Sequence, residues 1–168
     1  FCAVQHLEPD YLELDTWPRL PTVSDNNLLA GSRAHFDRVI DSLKGIRKVD
    51  FNQGLDARLM TPYHAGRLAE LDLAILRLAL DHHSLKPAFA RAVQHLRAAG
   101  LPDRKLFAYV LIGFQDTPDD ALDRIEHCRA LGVRPFVMRY QPLRGFEALA
   151  RNRHVDGGWT HPELARLT

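Results

Sequence analysis

Cysteine is scarce in this sequence: only Cys2 and Cys128 occur among 168 residues. That scarcity excludes a disulfide-stapled secreted domain and favours a reducing, cytoplasmic setting. No stretch approaches the about 20 apolar residues that cross a bilayer. Residues 1–10 also lack the basic and apolar regions of a signal peptide. We therefore expect no membrane partner.

An excess of one charge is also missing. The chain has 22 basic and 21 acidic side chains, a formal net charge of +1. A clustered basic excess is what gives general affinity for phosphates, so nucleic acid is not indicated as a partner. Several common site motifs are absent as well, among them G-x-G-x-x-G, G-x-x-x-x-G-K-[ST], H-E-x-x-H and G-x-S-x-G. Their absence weakens nicotinamide-dependent, nucleotide-hydrolysing, zinc-protease and serine-hydrolase interpretations.

What the sequence does contain is an alternation of short apolar runs with amphipathic segments. The runs predict strands at residues 106–112, 75–80 and 136–140, with shorter ones at 49–52 and 21–23. Successive strands recur at roughly 25–30 residues, the size of one β–α unit. The alternation predicts an α/β fold with a parallel sheet, either a doubly wound open sheet or a partial barrel.

The predicted helices have recognisable ends. Their start and stop signals are Ser32 with Gly45, Thr61-Pro62, Thr117-Pro118 with Asp120, residues 87–99 before Gly100, and Thr160 with Glu163. Residues 144–159 predict a weaker helix followed by a turn at 154–158. No domain linker interrupts the pattern.

Each predicted strand is followed by a small polar cluster. The clusters occupy residues 24–27, 52–58, 81–83, 113–116 and 139–141. They are rich in Asn, Gln, Asp, Arg and His, which fix polar ligands through directed hydrogen bonds. Because the carboxyl ends of parallel strands share one edge, the clusters predict a site for a polar small molecule.

Some of these clusters have a purely structural alternative. Residues 25–27 would form a turn and helix cap, since Asx residues favour such geometry. Arg58 beside Asp56 would form a surface ion pair, and Asp116 would begin a helix.

Two further candidates have structural alternatives as well. His82 and His83 are possible metal ligands, but adjacent side chains point apart and a third ligand is missing. Cys128 lies on the apolar face of its helix, as a core thiol would.

Five segments together resemble the radical S-adenosylmethionine superfamily, in particular a bacterial group within it. The segments are Phe1-Cys2-Ala3-Val4 and residues 25–27, 49–58, 109–114 and 138–142. The resemblance covers about residues 1–143. It implies a partial parallel (β/α) barrel over residues 1–145 that lacks its first strand, followed by a helical extension at 146–168.

The resemblance also implies a [4Fe–4S] cluster held by a C-x-x-x-C-x-aromatic-C loop. Cys2 resembles the third cysteine of that loop, so the other two would precede Phe1. Cys2 and Cys128 cannot supply three thiolates. We therefore expect a chain truncated within the cluster loop, which does not hold the cluster by itself.

S-adenosyl-L-methionine is the second cofactor that the resemblance implies. The positions that would bind it are Asp25, Asn26, Asn27, Gln53, Asp56, Arg58, Asp81, Ile112, Gly113, Arg139, Tyr140 and Gln141. Within this set, residues 25–27 would meet the methionine amino group, although the usual Gly-Gly-Glu is absent. Arg58 would meet a carboxylate, and Asp81 a ribose or carboxylate. Gly113 would allow close backbone approach beside adenine.

The implied reaction begins with an electron from a flavodoxin or ferredoxin. The reduced cluster would cleave S-adenosylmethionine to methionine and a 5′-deoxyadenosyl radical, which takes hydrogen from an unidentified substrate. Two alternatives stay open. One is another metal-dependent β/α-barrel enzyme that uses Asp81, His82 and His83. The other is a degenerate barrel that binds a ligand or partner without catalysis.

Overall fold

The computed structural model describes residues 10–142, 154–155 and 157–168. Cys2 and most of the helix expected at 144–159 therefore lie outside the described residues. The strands are β1 (Thr22–Val23), β2 (Val49–Phe51), β3 (Leu73–Ala79), β4 (Leu106–Ile112) and β5 (Arg134–Arg139). The helices are α1 (Arg33–Leu43), α2 (Pro62–Ala69), α3 (Lys86–Ala98), α4 (Pro118–Ala130) and α5 (His161–Leu167).

The five strands form one parallel sheet in the order β1-β2-β3-β4-β5. The α/β class and the parallel sheet predicted from the sequence are thereby confirmed. Strand order follows chain order, whereas the order reverses at a switch point in a doubly wound sheet. Each β–α unit of this sheet therefore adds its strand beside the preceding one.

The helix starts follow from local hydrogen bonding that the sequence predicts. Ser32, Thr61, Thr117 and Thr160 each accept a hydrogen bond from a backbone N–H in the first turn of a helix. At Thr117 and Thr160 the third residue of the helix completes a capping box. Each cap satisfies backbone donors that a helix start otherwise leaves unpaired.

The main core lies between the sheet and its helices. Along β4, the residues Leu106, Ala108, Val110 and Ile112 are buried and alternate with half-buried ones. They share a continuous apolar cluster with α1 residues such as Phe36 and with α3 residues such as Phe89. Trp159 and Leu164, near the carboxyl terminus, belong to the same cluster.

The opposite side of the sheet is only partly covered. Tyr109 alternates with the buried residues of β4 and is half-buried, while its register partner Phe136 on β5 exposes 57% of its surface. Arg77 pairs in register with Phe107 on this same side, and Asp50 pairs with Ile75. We call the side that carries Asp50, Arg77, Phe107, Tyr109 and Phe136 the open face.

Two strands begin earlier than their apolar runs predict. β3 starts at Leu73 rather than residue 75, and β5 starts at Arg134 rather than residue 136. Arg134 pairs with Phe107 and Pro135 with Ala108, so strand pairing begins two residues before the apolar run. Proline is tolerated there because β5 has only one neighbour among the described strands.

None of the helices in the described ranges is long and apolar enough to cross a bilayer.

Candidate functional site

All five predicted polar clusters follow the carboxyl ends of their strands and so lie along one edge of the sheet. Parallel pairing of every neighbouring strand requires this arrangement. Backbone bonds hold the strand ends in line: Asn52 N–H donates to Val23 O at 3.2 Å, and Tyr140 N–H donates to Ile112 O at 2.8 Å. We call this the carboxyl edge.

Buried polar atoms without partners concentrate at the carboxyl edge. Within the described residues, seven buried side-chain nitrogen or oxygen atoms have no hydrogen-bond partner. Five of the seven belong to four residues at strand ends, namely Asn27, Asn52, Arg139 and Gln141. Each such atom costs about 1–3 kcal/mol unless a ligand or an ordered water completes it. We call these four residues the tip cluster.

After β1, residues 25–27 form a local turn and also carry an unpartnered polar atom. Asp25 accepts a hydrogen bond from Asn27 N–H at 2.8 Å, which is the Asx turn that the structural alternative anticipated. Asn27 begins a 3₁₀ turn without capping it, and its Oδ1 atom is one of the unpartnered ones. Asp25, Asn26 and Asn27 also line a groove of about 920 Å³, together with apolar side chains such as Trp17.

After β2, Arg58 is engaged by its neighbour. Its Nε and Nη2 atoms donate to Asp56 at distances of 2.6–3.1 Å, and the Arg58 side chain is 65% exposed. Burial opposes ionisation of Asp56, but the hydrogen bonds from Arg58 prevail and lower the pKa of that carboxyl. The surface ion pair is thus confirmed. It uses the Nε and Nη2 atoms of Arg58, two of the guanidinium nitrogens that were expected to bind a carboxylate. Gln53 is exposed nearby.

After β3, Asp81 presents a half-buried carboxyl group. One oxygen accepts a hydrogen bond from Leu111 N–H on β4 at 3.2 Å. Burial raises the pKa of Asp81, and this hydrogen bond and the charge of Arg124 offset the rise only in part. A carboxyl group at this position provides hydrogen-bond acceptors for a polar ligand.

After β4, Ile112 and Gly113 are both packed against other parts of the chain. The Ile112 side chain is fully buried in the core, so only its backbone lies at the carboxyl edge. Gly113 has a φ of +78°, which favours glycine, but a Cβ there would lie 3.1 Å from Leu164 Cδ2. Leu164 of α5 therefore lies beside Gly113, and the close approach of adenine that the resemblance implies stays a prediction.

Asp116 organises the loop after β4, a role that the sequence did not reveal. It accepts hydrogen bonds from Gly113 N–H, Phe114 N–H and Trp159 Nε1, each at 3.0 Å. It also pairs with Arg124 Nη2 at 2.5 Å, and the two side chains are 7% and 1% exposed. The start of a helix at Thr117 was predicted, but this buried ion pair was not.

After β5, three predicted residues lie together. Arg139 donates to His154 O at 2.5 Å, while its Nε atom is buried without a partner. The Tyr140 ring packs against Phe114 with ring centroids 4.6 Å apart. Both amide atoms of Gln141 are buried and unpartnered. Gln141 thus offers one donor and one acceptor group to a ligand.

No group of three or more metal-ligating side chains occurs within the residues that the structure describes. His82 accepts a hydrogen bond from Ser84 N–H and caps the 3₁₀ turn His83–Leu85. Cys128 is fully buried in the core, as predicted, and burial raises the pKa of its thiol to about 12.

The candidate site is thus the carboxyl edge of a sequentially ordered parallel β/α sheet, where several buried polar atoms lack partners. Known protein families offer no match to this chain, and no curated protein is significantly similar to it.

Proposed function

We propose that the chain is part of a radical S-adenosylmethionine enzyme and binds that cofactor along the carboxyl edge. The tip cluster carries the proposal: these four residues, at or after the ends of β1, β2 and β5, bury polar atoms that lack partners. S-adenosylmethionine carries an ammonium group, a carboxylate and a nucleoside. These supply the hydrogen-bond donors and acceptors that the amide and guanidinium groups of the tip cluster require.

The residues that would hold the cofactor follow from their chemistry. Asn27 Oδ1 would accept from the methionine ammonium group, with the Asp25 carboxylate beside it for charge balance. Asp81 would accept hydrogen bonds from a hydroxyl pair, because its half-buried carboxyl group directly follows β3. Gln141 would pair with a group that has both donor and acceptor, and the Phe114–Tyr140 rings offer an apolar surface beside it.

A cluster would have to be held by other parts of the protein. The only cysteine among the described residues, Cys128, is enclosed in the core. Cluster binding would therefore fall to Cys2, together with two further cysteines that this sequence does not contain. With a [4Fe–4S] cluster bound, S-adenosylmethionine would supply a 5′-deoxyadenosyl radical to an unidentified substrate, with electrons from a flavodoxin or ferredoxin. The described residues would bind and orient the nucleoside and shield it from water.

Cofactor binding can be tested on this chain without a cluster. Titration calorimetry with S-adenosylmethionine should give saturable binding. Asn27→Ala and Gln141→Ala should each lower the affinity about fivefold or more, which corresponds to the loss of about one hydrogen bond. The matched control is Gln94→Ala, because Gln94 is an exposed amide on α3. No saturable binding, or equal affinities for the Gln141 and Gln94 variants, would contradict the site.

Catalysis is to be tested on a protein that also supplies those two cysteines. After anaerobic reconstitution it should show iron–sulfur absorption and release 5′-deoxyadenosine when reduced. Cys2→Ala should abolish both signals, while Cys128→Ala should keep them because Cys128 lies in the core. Cofactor binding without 5′-deoxyadenosine would instead favour the non-catalytic barrel. Stoichiometric zinc or manganese that is lost in His82→Ala would favour the other metal enzyme.

A further inference from the structure

Arg77 occupies the middle of β3, an unusual place for a charged residue in a parallel strand. Its guanidinium forms an ion pair with Asp50 of β2 on the open face, and the two side chains keep 17% and 26% exposure. Within the described residues, Arg77 Nη1 donates to Asp50 Oδ1. The guanidinium carries further N–H donors and the carboxylate a second oxygen, so both groups retain hydrogen-bonding capacity.

An aromatic wall stands beside this ion pair. The Arg77 guanidinium lies 5.6 Å from the centroid of the Tyr109 ring. The Tyr109 ring meets Phe136 edge to face, with centroids 5.7 Å apart. The Tyr109 hydroxyl donates to Asn52 O at 2.8 Å, which fixes the ring in place. Phe136 is 57% exposed, so the wall has room for another ring.

We infer that the open face binds an α-amino acid with an aromatic side chain, in its zwitterionic form. The ammonium group would meet Asp50, the carboxylate would meet Arg77, and the ring would pack on Tyr109 and Phe136. The ion pair is neutral as a whole, so it favours a ligand with both charges over a simple anion or cation. The inference is independent of the proposed function, because such binding requires neither cluster nor S-adenosylmethionine.

The first test uses the unaltered chain and four small probes. Titration calorimetry or saturation-transfer NMR should show binding of L-phenylalanine. Phenylethylamine lacks the carboxylate, 3-phenylpropanoate lacks the ammonium group and L-alanine lacks the ring. Each should bind about tenfold more weakly or worse, because each loses one of the three contacts. Absence of L-phenylalanine binding up to about 10 mM, or equal binding of either single-charge analogue, would overturn the inference.

The second test uses variants of the same chain. Asp50→Asn and Arg77→Gln should each lower the affinity for L-phenylalanine about tenfold, and Arg77→Lys should recover part of that affinity. The matched control is Arg91→Gln, because Arg91 is an exposed arginine on helix α3 and not on the sheet. Equal weakening of L-phenylalanine binding by the Arg91 change would contradict the site.

A third variant covers the case in which the charge variants fail to fold. Phe136→Ala removes an exposed ring, so the chain should still fold. The substitution should lower the affinity for L-phenylalanine more than the affinity for L-alanine. Equal weakening of both amino acids would count against the aromatic wall.

Discussion

Replacing Asp116 by alanine should destabilise the chain more than any exposed acidic change on the neighbouring helix. Asp116 and Arg124 are 7% and 1% exposed, so the substitution leaves a buried guanidinium without its counter-charge. Removing one partner of a buried ion pair costs about 3–5 kcal/mol. The backbone N–H groups of Gly113 and Phe114 also lose their shared acceptor, whereas Trp159 Nε1 keeps a bond to Asp116 O at 2.8 Å.

The assay is urea unfolding at pH 7. A loss of this size should lower the unfolding midpoint by about 1 M urea or more, since slopes for small proteins are about 1–3 kcal/mol per M. Asp123→Ala provides the control, because Asp123 is on α4, the helix that follows Asp116, is 54% exposed and pairs with Lys86. That change should cost less than about 1 kcal/mol. Equal costs for the two variants would refute the role given to the buried pair.

Three further outcomes follow from burial and backbone geometry. Burial raises the pKa of Asp81, so the folded state holds more protons than the unfolded state above the ordinary Asp pKa, and stability falls as pH rises through that window. Asp81→Asn should therefore gain stability over the parent as pH rises from about 4 to 7 in urea unfolding, whereas a pH-independent difference would contradict this. Burial also raises the pKa of Cys128 to about 12, so iodoacetamide at pH 8 should label Cys128 in the urea-unfolded chain and spare it in the native chain, as read by peptide mass spectrometry; equal labelling rates of Cys128 would contradict this. Gly54 has a φ of +83° and a Cβ there would lie 3.2 Å from Tyr109 Cδ2, while Gly45 has a φ of +80° and open space. Both changes to alanine incur about 1–2 kcal/mol of backbone strain, and Gly54→Ala should cost measurably more in thermal unfolding; equal costs would argue against the ring contact.

Local chemistry accounts for the parts of the fold that the sequence predicted well. β4 was predicted with its ends at Leu106 and Ile112, because its apolar run is continuous and bounded by Lys105 and Gly113. The helix starts at Thr117 and Thr160 were predicted because their capping boxes involve residues only three apart. The start of β5 was missed because Arg134 and Pro135 disfavour a strand by composition, and pairing with β4 overrides that preference.

The candidate site was predictable only where position along a strand decides it. Residues that follow strands reach the carboxyl edge in any parallel sheet, so Asn27 and Gln141 could be named from the sequence. Which of their atoms stay unpartnered depends on packing between distant segments. The same holds for the Asp50–Arg77 pair, whose members are 27 residues apart. An arginine inside an apolar run was the one available signal, since a charge in a buried strand requires a partner.

Sequential strand order has a mechanical consequence for any ligand of the tip cluster. β1 and β5 are the outermost strands of the described sheet, and four β–α connections separate them along the chain. A molecule grasped by Asn27 and Gln141 at once would tie these outer strands together as a non-covalent cross-link. The two-residue strand β1 would gain the most from that tether, so its backbone amides should exchange hydrogen more slowly once the molecule is bound.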